Sequence, residues 1–81
     1  MNFTNRHLVI RCEGKFYNKF IKQFVPQITA SCLFYSRDEI LKASHSLDFV
    51  HEMLVVECEY FKGMACKILE GSTLDEFYIL E

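Results

Sequence analysis

The residues able to do covalent or metal chemistry in this chain are four cysteines (Cys12, Cys32, Cys58, Cys66) and three histidines (His7, His45, His51). A cysteine nucleophile needs a base within reach and surroundings that lower its pKa. Each of these cysteines instead falls in phase with apolar neighbours. That predicts four buried, unreactive thiols packing as small hydrophobes. For zinc, no two cysteines have C-x-x-C spacing, and His45 and His51 are six apart, near opposite sides of any helix that carried both. Cys58 and Cys66 would face each other in a hairpin, where core packing is the expected role. Gly14, Gly63 and Gly71 are scattered, so no phosphate-cradling loop is present. Glu57/Glu59 and Asp75/Glu76 read as solvated carboxylates, without the pocket that separates two pKa values for acid–base work. The expectation is no catalytic residue, no metal and no cofactor; the chain does not read as an enzyme.

Charge is the chemistry that remains, and it is sorted by position. Residues 1–26 hold five bases (Arg6, Arg11, Lys15, Lys19, Lys22) against Glu13, a net of +4, while residues 27–81 hold four bases against ten acids, a net of −6. If residues 15–25 form a helix, Lys15, Lys19 and Lys22 lie on one stripe. Asn18 sits beside it, and Arg6 and Arg11 come from the preceding strand. That makes a basic binding face. Glu57, Glu59, Asp75 and Glu76 make an acidic one. Opposite-sign faces favour electrostatic docking to another protein. The expected function is a small cytosolic protein-binding module, an inhibitor or regulator of the size and class of viral or mobile-element accessory factors. Nucleic-acid binding through the basic helix is the alternative. A pI near 5.9 and the lack of a clearly exposed stacking aromatic weigh against it.

These residues have to be positioned by a small scaffold. Eighty-one residues, 51% of them apolar and with eight Phe and four Tyr, suit a single domain over 1–81 with an aromatic-rich core. No apolar run is long enough for a signal peptide or a membrane span, so the expectation is a cytoplasmic protein with no membrane partner.

Residues 7–12 alternate as a strand, and Gly14 breaks the pattern. Phe16, Tyr17, Phe20, Ile21, Phe24 and Val25 then recur in adjacent pairs at helical spacing, up to Pro26. Residues 27–35 alternate with apolar groups on both faces and read as a central strand. Ser36-Arg37-Asp38-Glu39 is a capping box opening a helix at Arg37, which ends near Ser46 or runs on to about residue 50.

Residues 53–70 read best as a hairpin pairing 60–64, 58–66 and 56–68, with Glu57 opposite Lys67 and Phe61-Lys62-Gly63 as the loop. A helix over 47–62 is the alternative. The tail, 72–81, is open between helix and strand.

The fold expected is α+β, in the order β-α-β-α-β-β with the last element uncertain. It is a small mixed sheet with one parallel β-α-β pair and helices on one face. A mainly α fold is the alternative. A central strand with Leu33 and Tyr35 on one face and Cys32 and Phe34 on the other has a second apolar face to cover. A second copy of the chain, forming a homodimer, would cover it.

Overall fold

The computed structural model describes residues 5–59 and 65–69. Five strands, β1 (Asn5–Cys12), β2 (Lys15–Asn18), β3 (Gln23–Val25), β4 (Glu52–Glu59) and β5 (Ala65–Leu69), form one sheet in the order β3-β2-β1-β4-β5. One helix, α1 (Arg37–His45), and a 3-10 turn, Ala30–Cys32, lie between β3 and β4. The protein is a small α+β fold that is mostly sheet, not a mainly α one. Its strand pairs are all antiparallel among the described residues, which corrects the mixed sheet and the parallel crossover.

The helix expected over 15–25 is the hairpin β2–β3. Glu13 and Gly14 both take positive φ, 52° and 77°, as the central residues of a two-residue hairpin turn must to match the strand twist. The chain therefore reverses after Cys12, and β2 returns along β1 with Arg11 opposite Phe16 and Cys12 opposite Lys15. It reverses again through residues 19–22. Asn18 Oδ1 accepts the amides of Phe20 (2.9 Å) and Ile21 (3.3 Å), while the Asn18 carbonyl takes the Lys22 N–H at 2.7 Å. A four-residue strand, a four-residue turn and a strand space adjacent apolar pairs four apart, just as a helix would. In the strands those pairs split between faces, Phe16 opposite Val25 and Tyr17 opposite Phe24.

The central strand expected over 27–35 is also absent. β2 stays beside β1 only at Arg11 and Cys12, leaving the rest of that edge of β1 open. Phe34 fills part of the gap by exchanging two backbone hydrogen bonds with Leu8, 3.0 and 2.8 Å. Lys19 donates its amide to the Ser31 carbonyl at 3.1 Å on the other side. The segment is thus wedged between two diverging strands, too short of partners to be a strand itself.

Because successive side chains of extended chain point oppositely, the wedge serves both faces of the sheet. Phe34 joins Leu8, Ile10, Tyr17, Val55 and Ile40 of α1 on one face. Leu33 and Cys32 join Val9, Phe16, Leu54, Val56 and Cys58 on the other. All thirteen are buried. The second face is therefore covered by the chain's own loop. This removes the apolar face that called for a second copy; of the four residues named for it, only Tyr35 is exposed.

The remaining elements follow their sequence signals. Ser36 Oγ accepts the Glu39 amide at 3.1 Å, and the Glu39 carboxylate accepts the Tyr35 amide at 3.0 Å, one residue before the usual capping-box partner. The helix stops at His45, where Ser46 Oγ donates to the Ala43 carbonyl at 2.7 Å, and does not run on to residue 50. β4 and β5 pair Val56 with Ile68, Glu57 with Lys67 and Cys58 with Cys66, the expected register. The strand Glu52–Glu59 excludes the helix over 47–62. The 60–64 pair, the loop Phe61-Lys62-Gly63 and the tail 72–81 lie outside the described residues. Cys32 and Cys58 are buried, whereas Cys12 and Cys66 are only partly so, which corrects the expectation of four buried thiols.

Candidate binding groove

The basic residues of the sequence reading do not assemble into one face. Pairing β1 antiparallel with β4 sets Arg6 opposite Glu57 and Arg11 opposite Glu52, and these become ion pairs at 3.2 and 3.0 Å. By strand alternation the two pairs lie on opposite faces of the sheet. Lys19, in the β2–β3 turn, folds inward. Its Nζ donates to the Leu33 carbonyl at 2.5 Å, pairs with Glu39 at 3.4 Å and lies 4.9 and 5.2 Å from the ring centres of Phe34 and Tyr35. Asn18 spends its side-chain oxygen on the turn. Lys15 and Lys22 stay exposed, at opposite ends of the β2–β3 hairpin.

No helix is present to align Lys15, Lys19 and Lys22, so the stripe expected for the basic binding face is not formed. Of the acidic face, Glu57 is the member whose side chain lies among the described residues. Glu57 is half-buried between Arg6 and Lys67 in the strand register. Glu59 ends β4 opposite Ala65. Asp75 and Glu76 lie outside the described residues. The sequence separates the charges, and the β1–β4 pairing brings them back together.

A concave part of the described surface lies elsewhere. A groove of ≈ 570 Å³ opens beside the β1–β2 turn, lined by Cys12, Glu13, Lys15, Phe24, Phe49 and Val50. The chain builds it by converging three segments. Gly14 and Glu13 turn the chain so that Lys15 stands opposite Cys12. Phe24 arrives from β3 opposite Tyr17. Phe49 and Val50 come from the connection after α1, with the Phe24 and Phe49 ring centres 5.7 Å apart.

That connection is tied down at both ends. Leu47 donates its amide to the Ser44 carbonyl at 3.0 Å. His51 Nδ1 lies 2.7 Å from the Phe49 carbonyl and Nε2 lies 2.5 Å from Ser44 Oγ. A carbonyl only accepts, so Nδ1 carries the hydrogen, and Nε2 is left to accept from the Ser44 hydroxyl. The pair spans from the last turn of α1 to the start of β4 and holds the loop between them. Cys12 Sγ reaches the Val50 carbonyl at 3.5 Å.

The outcome is a braced loop that pushes apolar groups into solvent. Val50 is 92% exposed and Phe49 45%. The sequence reading missed this site because Leu47, Val50 and Leu54 continued the helical spacing past His45. The available signal was Ser46 and Asp48, residues that favour helix ends and turns, placed just before the Phe49-Val50 pair.

Two further facts bound the chemistry. Among the described residues no group of three or more His, Cys, Asp or Glu side chains is placed to hold a metal ion. Among them, too, no helix is long and apolar enough to cross a membrane. No known protein family, no characterised protein and no solved structure matches this chain.

Proposed function

We propose that this chain acts by binding another protein, as a small inhibitor or regulator, and that it docks through the groove beside the β1–β2 turn. The observation that carries the reading is Val50, 92% exposed on a loop anchored at both ends, beside Phe49 and above Phe24. Full burial of a Val or Phe side chain is worth roughly 1.5–3 kcal/mol. Aromatic anchors in preformed concave surfaces dominate protein–protein affinity. A braced loop also loses little conformational freedom when it is covered. Glu13 and Lys15 at the rim supply opposite charges that orient a partner without dominating its affinity. On this reading docking is led by apolar contact, with charge setting orientation. The proposed setting remains the cytoplasm, with no catalytic role and no cofactor.

The test is a photo-crosslinking amino acid placed at Val50, with Lys42 on the exposed side of α1 as the control position. In native extract, the Val50 position should give one discrete protein adduct that disappears when Phe49→Asp is added, and Lys42 should give none. Equal adducts at both positions, or none at Val50, would refute the proposal.

A further inference from the structure

The cross-strand pair Cys58 and Cys66 lies away from the groove, on the sheet face closed by Cys32 and Leu33. The two residues are directly opposed in the β4–β5 register, and their sulfurs approach to 2.7 Å. Directly opposed antiparallel residues have Cα separations of about 4.5–5.5 Å, inside the window of about 4.4–6.8 Å that disulfides span. Closing the bond therefore needs no change of register and no movement of a strand. The two thiols also differ in access. Cys58 is 1% exposed, whereas Cys66, on the last strand of the described sheet, is partly open to solvent. Cys32 shares this core face, but its sulfur is turned to Thr29 Oγ1 at 3.5 Å and the Gln27 carbonyl at 3.9 Å.

From this geometry we infer that Cys58 and Cys66 form a reversible disulfide that clamps the β4–β5 hairpin, with a low-molecular-weight disulfide such as oxidised glutathione as the oxidant. The Cys66 thiolate attacks one sulfur of the oxidant. A mixed disulfide forms on Cys66, and one glutathione thiolate leaves. The Cys58 thiolate then attacks Cys66 Sγ, forming the protein disulfide and expelling the second glutathione thiolate. Two electrons pass from the cysteine sulfurs to the oxidant, and the two thiol protons end on the two glutathiones. Burial sets the order, because only Cys66 meets a reagent from solvent and Cys58 waits behind it. In a reducing compartment the dithiol is the resting form, and the bond forms when the glutathione pool becomes oxidised.

The folded, reduced chain is incubated in buffers of increasing oxidised-to-reduced glutathione ratio, then denatured, alkylated and mapped by mass spectrometry. The expected product has lost two hydrogens, links the Cys58 and Cys66 peptides, leaves Cys12 and Cys32 alkylated, and reverts with dithiothreitol. Four alkylated cysteines at the most oxidising ratio would overturn the inference, as would a bridge between any other pair. This arm uses the unaltered chain, so it does not depend on how a variant folds. In Cys58→Ser the glutathione adduct should accumulate on Cys66, and in Cys66→Ser position 58 should stay unmodified. Reaction at Cys58 as fast as at Cys66 would refute the assigned order. Amide exchange at Val56 and Ile68 should slow by about tenfold or more in the oxidised form, since the loop over residues 58–66 is closed in the unfolded chain. Unchanged exchange would refute the clamp.

Discussion

At the scale of single residues, environment decides what each charge is worth. Arg6 and Glu57 are partly withdrawn from water, with side chains 31% and 17% exposed, whereas Glu52, the partner of Arg11, is 57% exposed. Hydrogen-bonded charges out of water contribute more than solvated pairs, whose median is close to zero. Glu57→Gln should therefore cost about 1 kcal/mol or more, and Glu52→Gln less than about 0.5 kcal/mol, measured by urea denaturation.

His7 shows the same dependence on environment in its titration. Burial, and then the nearby Lys19 charge, hold its pKa below the ordinary 6.5. Its ring packs edge-on against Tyr35 at 4.6 Å. The folded protein thus takes up the His7 proton at a lower pH than the unfolded chain does. Between those two values the unfolded chain binds more proton, so stability falls as pH drops below about 6.5. Replacing His7 with Gln should flatten that part of the stability–pH curve; an unchanged slope would assign the acid loss to other groups. None of these weights was legible in the sequence, where Arg6 and Arg11 looked alike.

At the scale of elements, the N-terminal third shows how one pattern serves two structures. The residue pairs at 16–17, 20–21 and 24–25 satisfy a helical period, and they equally satisfy strand, turn and strand. The decision lies in the turn at Glu13-Gly14. Gly14 takes φ 77° freely, with open space where a Cβ would stand, while Glu13 at φ 52° is an uncommon occupant of a left-handed position. Asn-Gly is the usual hairpin pair, and a Glu-Gly turn gives a weak signal. Glu13→Asn should stabilise the fold by a few tenths of a kcal/mol, and Gly14→Ala should destabilise it by roughly 1 kcal/mol. Thermal melts of the two variants check both directions. By contrast, the α1 start and the β4–β5 register were legible, because Ser36 and Glu39 cap locally and because pairing 58 with 66 keeps Val56, Cys58, Cys66 and Ile68 on a single face.

At the scale of the whole molecule, the 26–36 segment unites the two sides of the sheet. Phe34 is 1% exposed, bonds to β1 through its backbone and packs on the α1 side, while its neighbour Leu33 seals the other face. Removing the Phe34 ring should cost about 3–5 kcal/mol. That is a large share of the stability open to a domain of this size. Phe34→Ala should lose most or all of its cooperative unfolding transition, read by near-ultraviolet circular dichroism. A variant that melts within a few degrees of the parent would show that the wedge is dispensable.

By itself the sequence determined what depends on neighbours in the chain: a core rich in aromatics, strand character at 7–12, the break at Gly14, the Ser36 cap, and the pairing of Cys58 with Cys66. The tertiary structure decided which strands lie side by side, and through that the meaning of the charge. A near-neutral chain with its bases in the first third and its acids later reads as a dipole of two faces. Setting β1 antiparallel to β4 places Arg6 on Glu57 and Arg11 on Glu52, so a separation along the chain becomes neutralisation in space. Periodicity carries information over about one turn or one pleat. Pairing between residues about 40 to 50 positions apart is chosen by the burial of both sheet faces together, a global quantity that no local window contains.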